Sequence, residues 1–311
     1  RERYTRVVPG EIRAGRLPSG TAAPGRRRMG PMTTVRELDL TLPDGAVLHV
    51  YDTGVGELPV LWHHGTPNTG MPPVPLFATA ERLGLRWVSW DRPGYGGSSP
   101  RPDRPVSSAA RYAEAVADAL GLDRFAVMGH SGGGPHALAC AALLPGRVIA
   151  AVAGASLAPY DAVGLDYTDG MCASGVAALL SAAAGRPAKE AHEAAHGEEY
   201  DPEFTTGDLE LLAGEWGWFG SVVAAAAPSG RAPAIDDDLA YVHPWGFDPA
   251  EISAPTLLLH GTADRIVPVA HSRWLAARIP HAELRVGEGD GHLSIMSGAV
   301  SALEWLAARA V

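Results

Sequence analysis

The sequence predicts an α/β fold in which a doubly wound, mostly parallel β-sheet carries a helical segment inserted after the sixth strand. Two observations lead to this prediction. Short apolar runs alternate with helix-like segments over about residues 35–155 and again from about residue 255 to the end. Such alternation requires a parallel sheet with helices on both faces. Over residues 158–243 the alternation breaks down and Ala-rich segments replace it, which indicates the insertion.

The first half of the chain begins with a predicted β-hairpin. Residues 35–42 alternate apolar and polar side chains, as a half-buried strand does. The turn residues Pro43-Asp44-Gly45 follow, and residues 46–51 return as a second strand. The remaining elements of this half are predicted in the order strand 59–63, helix 76–83, strand 85–90, helix 107–120, strand 125–128, helix 137–144 and strand 147–155.

The last part of the chain resumes the strand–helix order. Its predicted elements are strand 255–260, helix 271–278, strand 282–286 and helix 295–309. We therefore predict a core domain built from residues 33–157 and 244–311, with residues 158–243 as the helical insertion. Residues 1–32 are rich in Arg, Gly and Pro and have no hydrophobic period, so we predict a disordered tail there.

The composition favours a globular protein that acts on small molecules. The 311 residues are 46% hydrophobic, which is enough for a sizeable core. A net charge of −10 argues against nucleic acid or an anionic membrane surface as partner. No stretch approaches the roughly 20 apolar residues of a membrane span. The chain has only 2 cysteines, Cys140 and Cys172, which favours a reducing, cytoplasmic setting. The composition does not indicate whether the protein is a monomer or an oligomer.

The stretch that is most informative about function is 124–144, RFAVMGHSGGGPHALACAALL. A strand-like run leads into Gly129-His130-Ser131-Gly132-Gly133, and helix-favouring residues follow. This context is that of a nucleophile elbow, in which a strained turn exposes a Ser hydroxyl. The glycines two positions before and after Ser131 would prevent a clash between strand and helix. Ser131 is therefore the candidate nucleophile, and a Gly-rich turn with a surface Ser is the alternative.

A Ser hydroxyl becomes a useful nucleophile only when a base activates it and a third group holds that base. Asp264 and His292 each follow a predicted strand, so both should lie at the carboxyl edge of the sheet, where the elbow also emerges. We predict that they are the acid and the base. Asp161 is the rival acid. Other histidines lie within a strand or helix, or near the start of a strand, and are less well placed: His260, His271 and His281.

An oxyanion hole needs two backbone N–H donors that point at the developing charge. Gly132, directly after the nucleophile, should supply one of them. Thr66, in the loop after the third predicted strand, is the candidate for the other. Acyl transfer by these groups requires no metal and no organic cofactor, and we predict none.

Five motifs together resemble the α/β-hydrolase fold superfamily. They are His64-Gly65-Thr66-Pro67, the loop 91–98 (DRPGYGGS), the elbow 129–135 (GHSGGGP), the loop 260–264 (HGTAD) and Gly291-His292. The resemblance covers about residues 35–155 and 244–311, and the chain order Ser, Asp, His is also that of the superfamily. It implies that Thr66 supplies the second oxyanion N–H and that His64 orients this loop. It also implies that residues 158–243 correspond to the cap, which shapes the substrate pocket.

The His-Gly-Thr-Pro loop is also similar to that of epoxide hydrolases and haloalkane dehalogenases of this superfamily. Those enzymes use an Asp nucleophile where this chain has Ser131, so both activities are disfavoured. Carbon–carbon hydrolases, perhydrolases, thioesterases and aminopeptidases remain open. The Gly-Gly-Ser-Trp-Gly elbow typical of proline-specific aminopeptidases is absent.

Aromatic residues in and after the insertion suggest a largely apolar substrate pocket. With His64, the predicted lining residues are Trp216, Trp218, Phe219 and Trp245, with Phe247 nearby. Core packing is the alternative interpretation for each aromatic residue. The acidic run Asp236-Asp237-Asp238 is predicted to be a solvated loop.

These observations predict a serine hydrolase that cleaves a small-molecule carboxylic ester, lactone or related acyl bond through an acyl-enzyme on Ser131. A small-molecule substrate is the expected partner. Two other classes remain open on the same scaffold. One is a ligand-binding or receptor-like protein. The other is a non-hydrolytic enzyme, such as a lyase, cyclase or perhydrolase.

Overall fold

A computed structural model of the chain describes residues 34–309. The disordered tail predicted for residues 1–32 lies outside the described residues. The described part contains an eight-stranded β-sheet. Its strands are β1 (Arg36–Thr41), β2 (Val47–Asp52), β3 (Leu58–His63), β4 (Leu85–Trp90), β5 (Phe125–His130), β6 (Val148–Gly154), β7 (Thr256–Gly261) and β8 (Ala282–Gly287).

The sheet is mostly parallel, as predicted. The strand order is β1-β2-β4-β3-β5-β6-β7-β8. Strand β2 pairs antiparallel with β1 and β4, and every other neighbouring pair is parallel. The interior strands β5 and β7 are buried along their whole length, whereas the edge strands β1 and β8 are partly exposed. Parallel strands covered on both faces have this continuous apolar character.

Ten α-helices accompany the sheet within residues 34–309. They are α1 (Phe77–Arg82), α2 (Ser108–Ala119), α3 (Gly133–Leu143), α4 (Ala173–Ala183), α5 (Arg186–His196), α6 (Thr206–Ala213), α7 (Trp218–Ala226), α8 (Ala232–Val242), α9 (Ala270–Arg278) and α10 (Ala299–Ala307). No helix in this range is long and apolar enough to span a membrane.

Two hydrophobic cores cover the two faces of the sheet. Successive side chains of a strand point to opposite faces. Accordingly, Leu61 and Val127 lie in one core, and their neighbours Trp62 and Met128 lie in the other. Helices α2, α3 and α9 contribute to the first core, and α1 and α10 contribute to the second. The doubly wound architecture is thereby confirmed.

The five helices α4–α8 lie between β6 and β7, where the insertion is predicted. Side chains of this helical insertion (residues 158–243) contact loops that follow β3, β4, β5 and β8. The insertion therefore lies at the carboxyl edge of the parallel strands, where active sites of open α/β sheets form.

The acidic run at residues 236–238 is not a solvated loop, so that prediction is wrong. The three residues belong to α8, and Asp236 and Asp237 are buried. Each carboxylate pairs with different cations: Asp236 with Arg186, Asp237 with Arg92 and Arg104, and Asp238 with Lys189. Successive residues of a helix point in directions about 100° apart, so the three adjacent acids reach different cations.

Candidate active site

The candidate nucleophile Ser131 lies on the sharp turn between β5 and α3. Its φ angle is 55°, a left-handed conformation that is uncommon for residues other than glycine. The turn is held because the Ser131 N–H donates to the Gly154 carbonyl over 2.8 Å and the Gly134 N–H donates to the Ser131 carbonyl over 2.9 Å. The side chain is only partly buried. This strained turn is the elbow that the strand–turn–helix pattern predicts.

Close packing of strand against helix requires the glycines of the elbow. A Cβ on Gly129 would lie 2.3 Å from the carbonyl oxygen of Gly133. A Cβ on Gly133 would lie 1.9 Å from the carbonyl oxygen of His63, in β3. Neither backbone atom can yield easily, so both positions exclude larger residues.

Ser131, His292 and Asp264 form a hydrogen-bonded chain. Ser131 Oγ lies 2.8 Å from Nε2 of His292, and Nδ1 of His292 lies 2.8 Å from Oδ2 of Asp264. The three residues follow β5, β8 and β7, and the structure brings them together as predicted. In this arrangement Nδ1–H donates to the carboxylate and Nε2 accepts from the hydroxyl, which prepares His292 to act as a base.

Asp264 remains ionised in its buried position. Its Oδ1 accepts the backbone N–H groups of Ile266 and Val267, each over 2.9 Å. Burial alone would raise the pKa of Asp264, but the adjacent His292 and His260 hold it well below the usual range. The rival acid, Asp161, is exposed and lines a cleft together with Trp245 and Trp274.

His260 supports Asp264 from a second side. Its Nε2 lies 2.6 Å from the carbonyl oxygen of Val267 and 3.3 Å from Oδ2 of Asp264. Its Nδ1 lies 2.6 Å from the hydroxyl of Ser272. An Nε2–H that donates to the Val267 carbonyl accounts for these contacts, with Nδ1 accepting from the hydroxyl. Because His260 lies within strand β7, the sequence does not mark it as a site residue.

The predicted oxyanion donors lie beside the nucleophile. A Cβ on Gly65 would be 3.5 Å from Cβ of Ser131, so the loop after β3 runs directly past it. Within residues 34–309, the backbone N–H groups of Thr66 and Gly132 form no hydrogen bond. Gly132 is also the N-terminal cap of α3, where free N–H groups and the helix dipole favour negative charge.

His64 takes part in the hydrogen bonds of the oxyanion loop. Its Nδ1 donates to the Gly65 carbonyl over 2.8 Å, and its Nε2 accepts the N–H of Arg92 over 2.9 Å. Burial, with the nearby Arg92 charge, lowers the pKa of His64 well below its usual value. His64 is therefore a neutral ring that holds the loop, the role that the resemblance implies.

Three of the predicted pocket aromatics form one buried cluster on and next to α7. The ring of Trp216 stacks on Phe219 with centroids 5.4 Å apart, and Trp218 lies 5.0 Å from Phe219. Phe219 in turn lies 5.2 Å from the ring of His130, the residue before Ser131. The cluster is part of the hydrophobic core and reaches the elbow through Phe219.

Trp245 lies elsewhere, so its place in the predicted pocket is corrected. Its Nε1 donates to the Tyr241 carbonyl over 3.3 Å, and its ring packs 5.6 Å from Phe247. Both rings line a surface cleft of about 590 Å³ that contains neither Ser131 nor His292. Trp245 follows the end of α8 at Val242.

Sequence reasoning missed Asp208, a buried residue of α6 that supports the loop of His292. Its Oδ1 accepts the backbone N–H groups of Leu293 and Ser294, over 2.9 and 2.7 Å. Its Oδ2 accepts the N–H of Thr205 in a capping box at the start of α6. The capping-box pattern was readable from Thr205 and Asp208, but the contact with residue 293 was not.

His130 completes the contacts around His292. Its Nε2 donates to the His292 carbonyl over 2.9 Å, and the two rings lie 5.1 Å apart. Burial, with the neighbouring His292, lowers the pKa of His130 to about 3, so its ring stays neutral. Residues 34–309 contain no group of three His, Cys, Asp or Glu side chains arranged to hold a metal ion.

Comparison with known proteins identifies the family. Residues 59–299 match the family model described as alpha/beta hydrolase fold, and the chain belongs to this family. It is 32% identical over 261 residues to 2-hydroxymuconate semialdehyde hydrolase of Pseudomonas putida, covering 81% of this chain and 86% of that protein. It is 28% identical over 261 residues to non-heme chloroperoxidase of Streptomyces lividans, covering 81% and 92%.

A solved structure agrees with this fold. The thermophilic esterase from Thermogutta terrifontis superposes with a TM-score of 0.64 and 23% identity, covering 88% of this chain and 99% of that one. The family and these relatives place the chain among enzymes of the hydrolase class.

Proposed function

We propose that this protein is a serine hydrolase that cleaves a small-molecule carboxylic ester, lactone or related acyl bond through an acyl-enzyme on Ser131. The observation that carries the proposal is the chain of hydrogen bonds from Ser131 through His292 to Asp264, with 2.8 Å at each step. A nucleophile, a base and an oriented carboxylate in this geometry support acyl transfer.

In the proposed mechanism, Ser131 Oγ attacks the substrate carbonyl carbon while Nε2 of His292 takes the hydroxyl proton. The ionised Asp264 holds the ring through Nδ1–H and stabilises the imidazolium that forms. The N–H groups of Thr66 and Gly132 bind the oxyanion of the tetrahedral intermediate. His292 then gives its proton to the leaving oxygen, and the alcohol departs from the acyl-enzyme.

Water completes the proposed cycle. His292, neutral again, takes a proton from a water molecule that attacks the acyl carbon, and a second tetrahedral intermediate forms. Its collapse releases the carboxylic acid and returns the proton to Ser131. Every proton passes through Nε2 of His292, so these steps need only this chain's own residues and water.

The charge distribution favours a neutral substrate. The buried basic side chains of residues 34–309 are Arg92, Arg104 and Lys189, and each is paired with a carboxylate of α8. A buried substrate carboxylate would therefore find no free buried cation in this range, and burying an unpaired charge is costly. The relative from Pseudomonas putida is named for 2-hydroxymuconate semialdehyde, a carboxylate. This contrast favours an ester or lactone over such a compound.

The test compares the wild type with Ser131→Ala on p-nitrophenyl acetate and labels both proteins with a fluorophosphonate. We expect Ser131→Ala to lose at least about a thousandfold in kcat/KM and to lose labelling, because no nucleophile remains. Ser301→Ala, an exposed change on α10, is the control and should match the wild type. Retention of half the activity by a folded Ser131→Ala protein would overturn the proposal.

A further inference from the structure

The carboxylate of Asp237, on α8, is buried and saturated with hydrogen bonds. Its Oδ1 accepts from Arg92 Nε over 3.2 Å and from Arg104 over 2.6 Å. Its Oδ2 accepts from Arg92 over 2.6 Å, from the Thr66 hydroxyl over 2.5 Å and from the Tyr95 hydroxyl over 2.9 Å. Five donor groups from two loops of the core, the loop after β3 and the connection from β4 to α2, thus converge on one side chain of the helical insertion.

Arg92 connects this carboxylate to the oxyanion loop. Its guanidinium donates to the carbonyl oxygens of His64 and Gly65, the latter over 3.0 Å, while the same group is bidentate on Asp237. Charge-assisted and bidentate hydrogen bonds are the most directional that a protein makes. The two residues before Thr66 and the side chain of Thr66 itself are therefore all tied to the Arg92–Asp237 pair.

The Arg92–Asp237 pair is ionised, and breaking it would cost considerable free energy. Burial alone would raise the pKa of Asp237, but the Arg92 and Arg104 guanidiniums hold it well below the usual range. Removing this carboxylate would leave two buried guanidiniums without a counter-charge, which is strongly unfavourable. The neighbouring side chains would have to rearrange. One of them, Arg92, is hydrogen-bonded directly to the oxyanion loop.

We propose that Asp237 is a positioning residue for the oxyanion hole, acting through Arg92 and through the hydroxyl of Thr66. The inference rests on the proposed role of the Thr66 N–H in acyl transfer. In this proposal, α8 helps to position the active-site groups and also belongs to the insertion that covers them.

The neighbouring acid provides a matched control. Asp238 lies on the same helix and pairs with Lys189 of α5, inside the insertion. Asp237→Asn and Asp238→Asn each remove the negative charge that pairs with a buried cation, but only Asp237 contacts the oxyanion loop. We expect Asp237→Asn to lower kcat about a hundredfold with little change in KM, since a small misplacement of a catalytic group costs this much. Asp238→Asn should keep kcat within about threefold of the wild type.

A second pair of variants tests the link through Thr66 and keeps every buried charge. Thr66→Val removes the hydroxyl that donates to Asp237 and keeps the backbone N–H. Thr66→Ser keeps both groups. We expect Thr66→Val to lower kcat about tenfold or more and Thr66→Ser to restore most of it. This pair decides the question if Asp237→Asn does not fold.

Labelling of Ser131 by a fluorophosphonate separates this inference from the proposed function. The reaction needs the nucleophile and the oxyanion hole but no natural substrate. A wild-type protein that is labelled but cleaves no ester would contradict the proposed function. In that case, slower labelling of only the Asp237→Asn and Thr66→Val variants would still support the positioning role. Equal labelling rates for the wild type, Thr66→Val and Asp238→Asn would overturn the inference. Equal losses of labelling rate for Asp237→Asn and Asp238→Asn would also overturn it.

Discussion

The hydroxyl of Tyr241 donates to the carbonyl oxygen of Gly132 over 3.1 Å, so the helical insertion touches the residue that follows the nucleophile. The same hydroxyl lies 3.0 Å from Oγ1 of Thr66. A Cβ on Gly132 would lie 2.3 Å from the Tyr241 hydroxyl and 2.7 Å from Oγ1 of Thr66. The insertion thus leaves no room for a methyl group at the proposed oxyanion hole.

We predict that Gly132→Ala lowers kcat/KM about a hundredfold, because the new methyl group must push Thr66 and Tyr241 away from their present positions. Adding Tyr241→Phe removes the oxygen that is closest to the methyl group and should restore part of the activity. Steady-state kinetics with p-nitrophenyl acetate measures both effects. Gly220→Ala, on α7, is the control, because within residues 34–309 no atom beyond its chain neighbours and the nearby backbone of its own helix lies within 4 Å of the added Cβ. A Gly132→Ala protein with wild-type kinetics would contradict this account.

The sequence predicts the three residues of the hydrogen-bonded chain well because each is encoded locally. Ser131 lies in a strand–turn–helix pattern, and Asp264 and His292 follow apolar strands that must end at one edge of a parallel sheet. The order of the elements is therefore enough to predict that the three residues lie close together. The same local reasoning predicts the eight strands and the position of the insertion.

Contacts between the insertion and the core could not be predicted in this way. Arg92 and Asp237 are 145 positions apart, and Asp208 and Leu293 are 85 apart. An acidic run on a helix has the same composition whether it faces water or, as here, four cations. Only the path of α4–α8 over the sheet decides which aromatic residue reaches the elbow, as Phe219 does and Trp245 does not.

Asp208 offers a test of the loop that carries His292. Asp208→Ala would leave the N–H groups of Thr205, Leu293 and Ser294 without their acceptor, at a cost of about 1–3 kcal/mol for each group that stays buried. We expect a lower melting temperature and a lower kcat, because His292 immediately precedes two of these groups. Thermal denaturation and ester kinetics measure the two effects.

The control for Asp208 is Glu210→Ala, an exposed change on the same helix. It should leave both the melting temperature and kcat close to those of the wild type. If Asp208→Ala lowered the melting temperature but left kcat unchanged, Asp208 would only stabilise the fold and would not support His292.

The pairing of the buried cations predicts a preference for uncharged acyl groups. We expect kcat/KM for p-nitrophenyl butyrate to exceed that for mono-p-nitrophenyl succinate by at least about tenfold, since the succinate carboxylate would be desolvated without a partner. The net charge of −10 acts in the same direction at low ionic strength. Kinetics of the two esters at matched ionic strength, corrected for their alkaline hydrolysis rates, measures the ratio. Faster turnover of the succinate ester would show that a cation does face the substrate.

Buried neutral histidines should make the fold sensitive to acid. Burial lowers the pKa of His271 to about 4, and its ring is held by the N–H of Ala158 and the carbonyl of Tyr167. In the unfolded chain a histidine has a pKa of about 6.5. Between these two values the unfolded state binds one more proton than the folded state does. The free energy of unfolding therefore falls as the pH falls, by about 1.4 kcal/mol per pH unit for this group.

We predict that His271→Gln weakens the pH dependence of the free energy of unfolding by the contribution of one proton. A Gln side chain offers one donor and one acceptor but does not titrate. The variant should be less stable than the wild type near neutral pH, and the difference should narrow as the pH falls from about 7 to about 5. Urea denaturation across this range measures the two slopes. His243→Gln, at an exposed position, should keep the wild-type slope. Parallel curves for the wild type and His271→Gln would show that His271 contributes nothing to the acid sensitivity, because the other buried histidines are unchanged in both proteins.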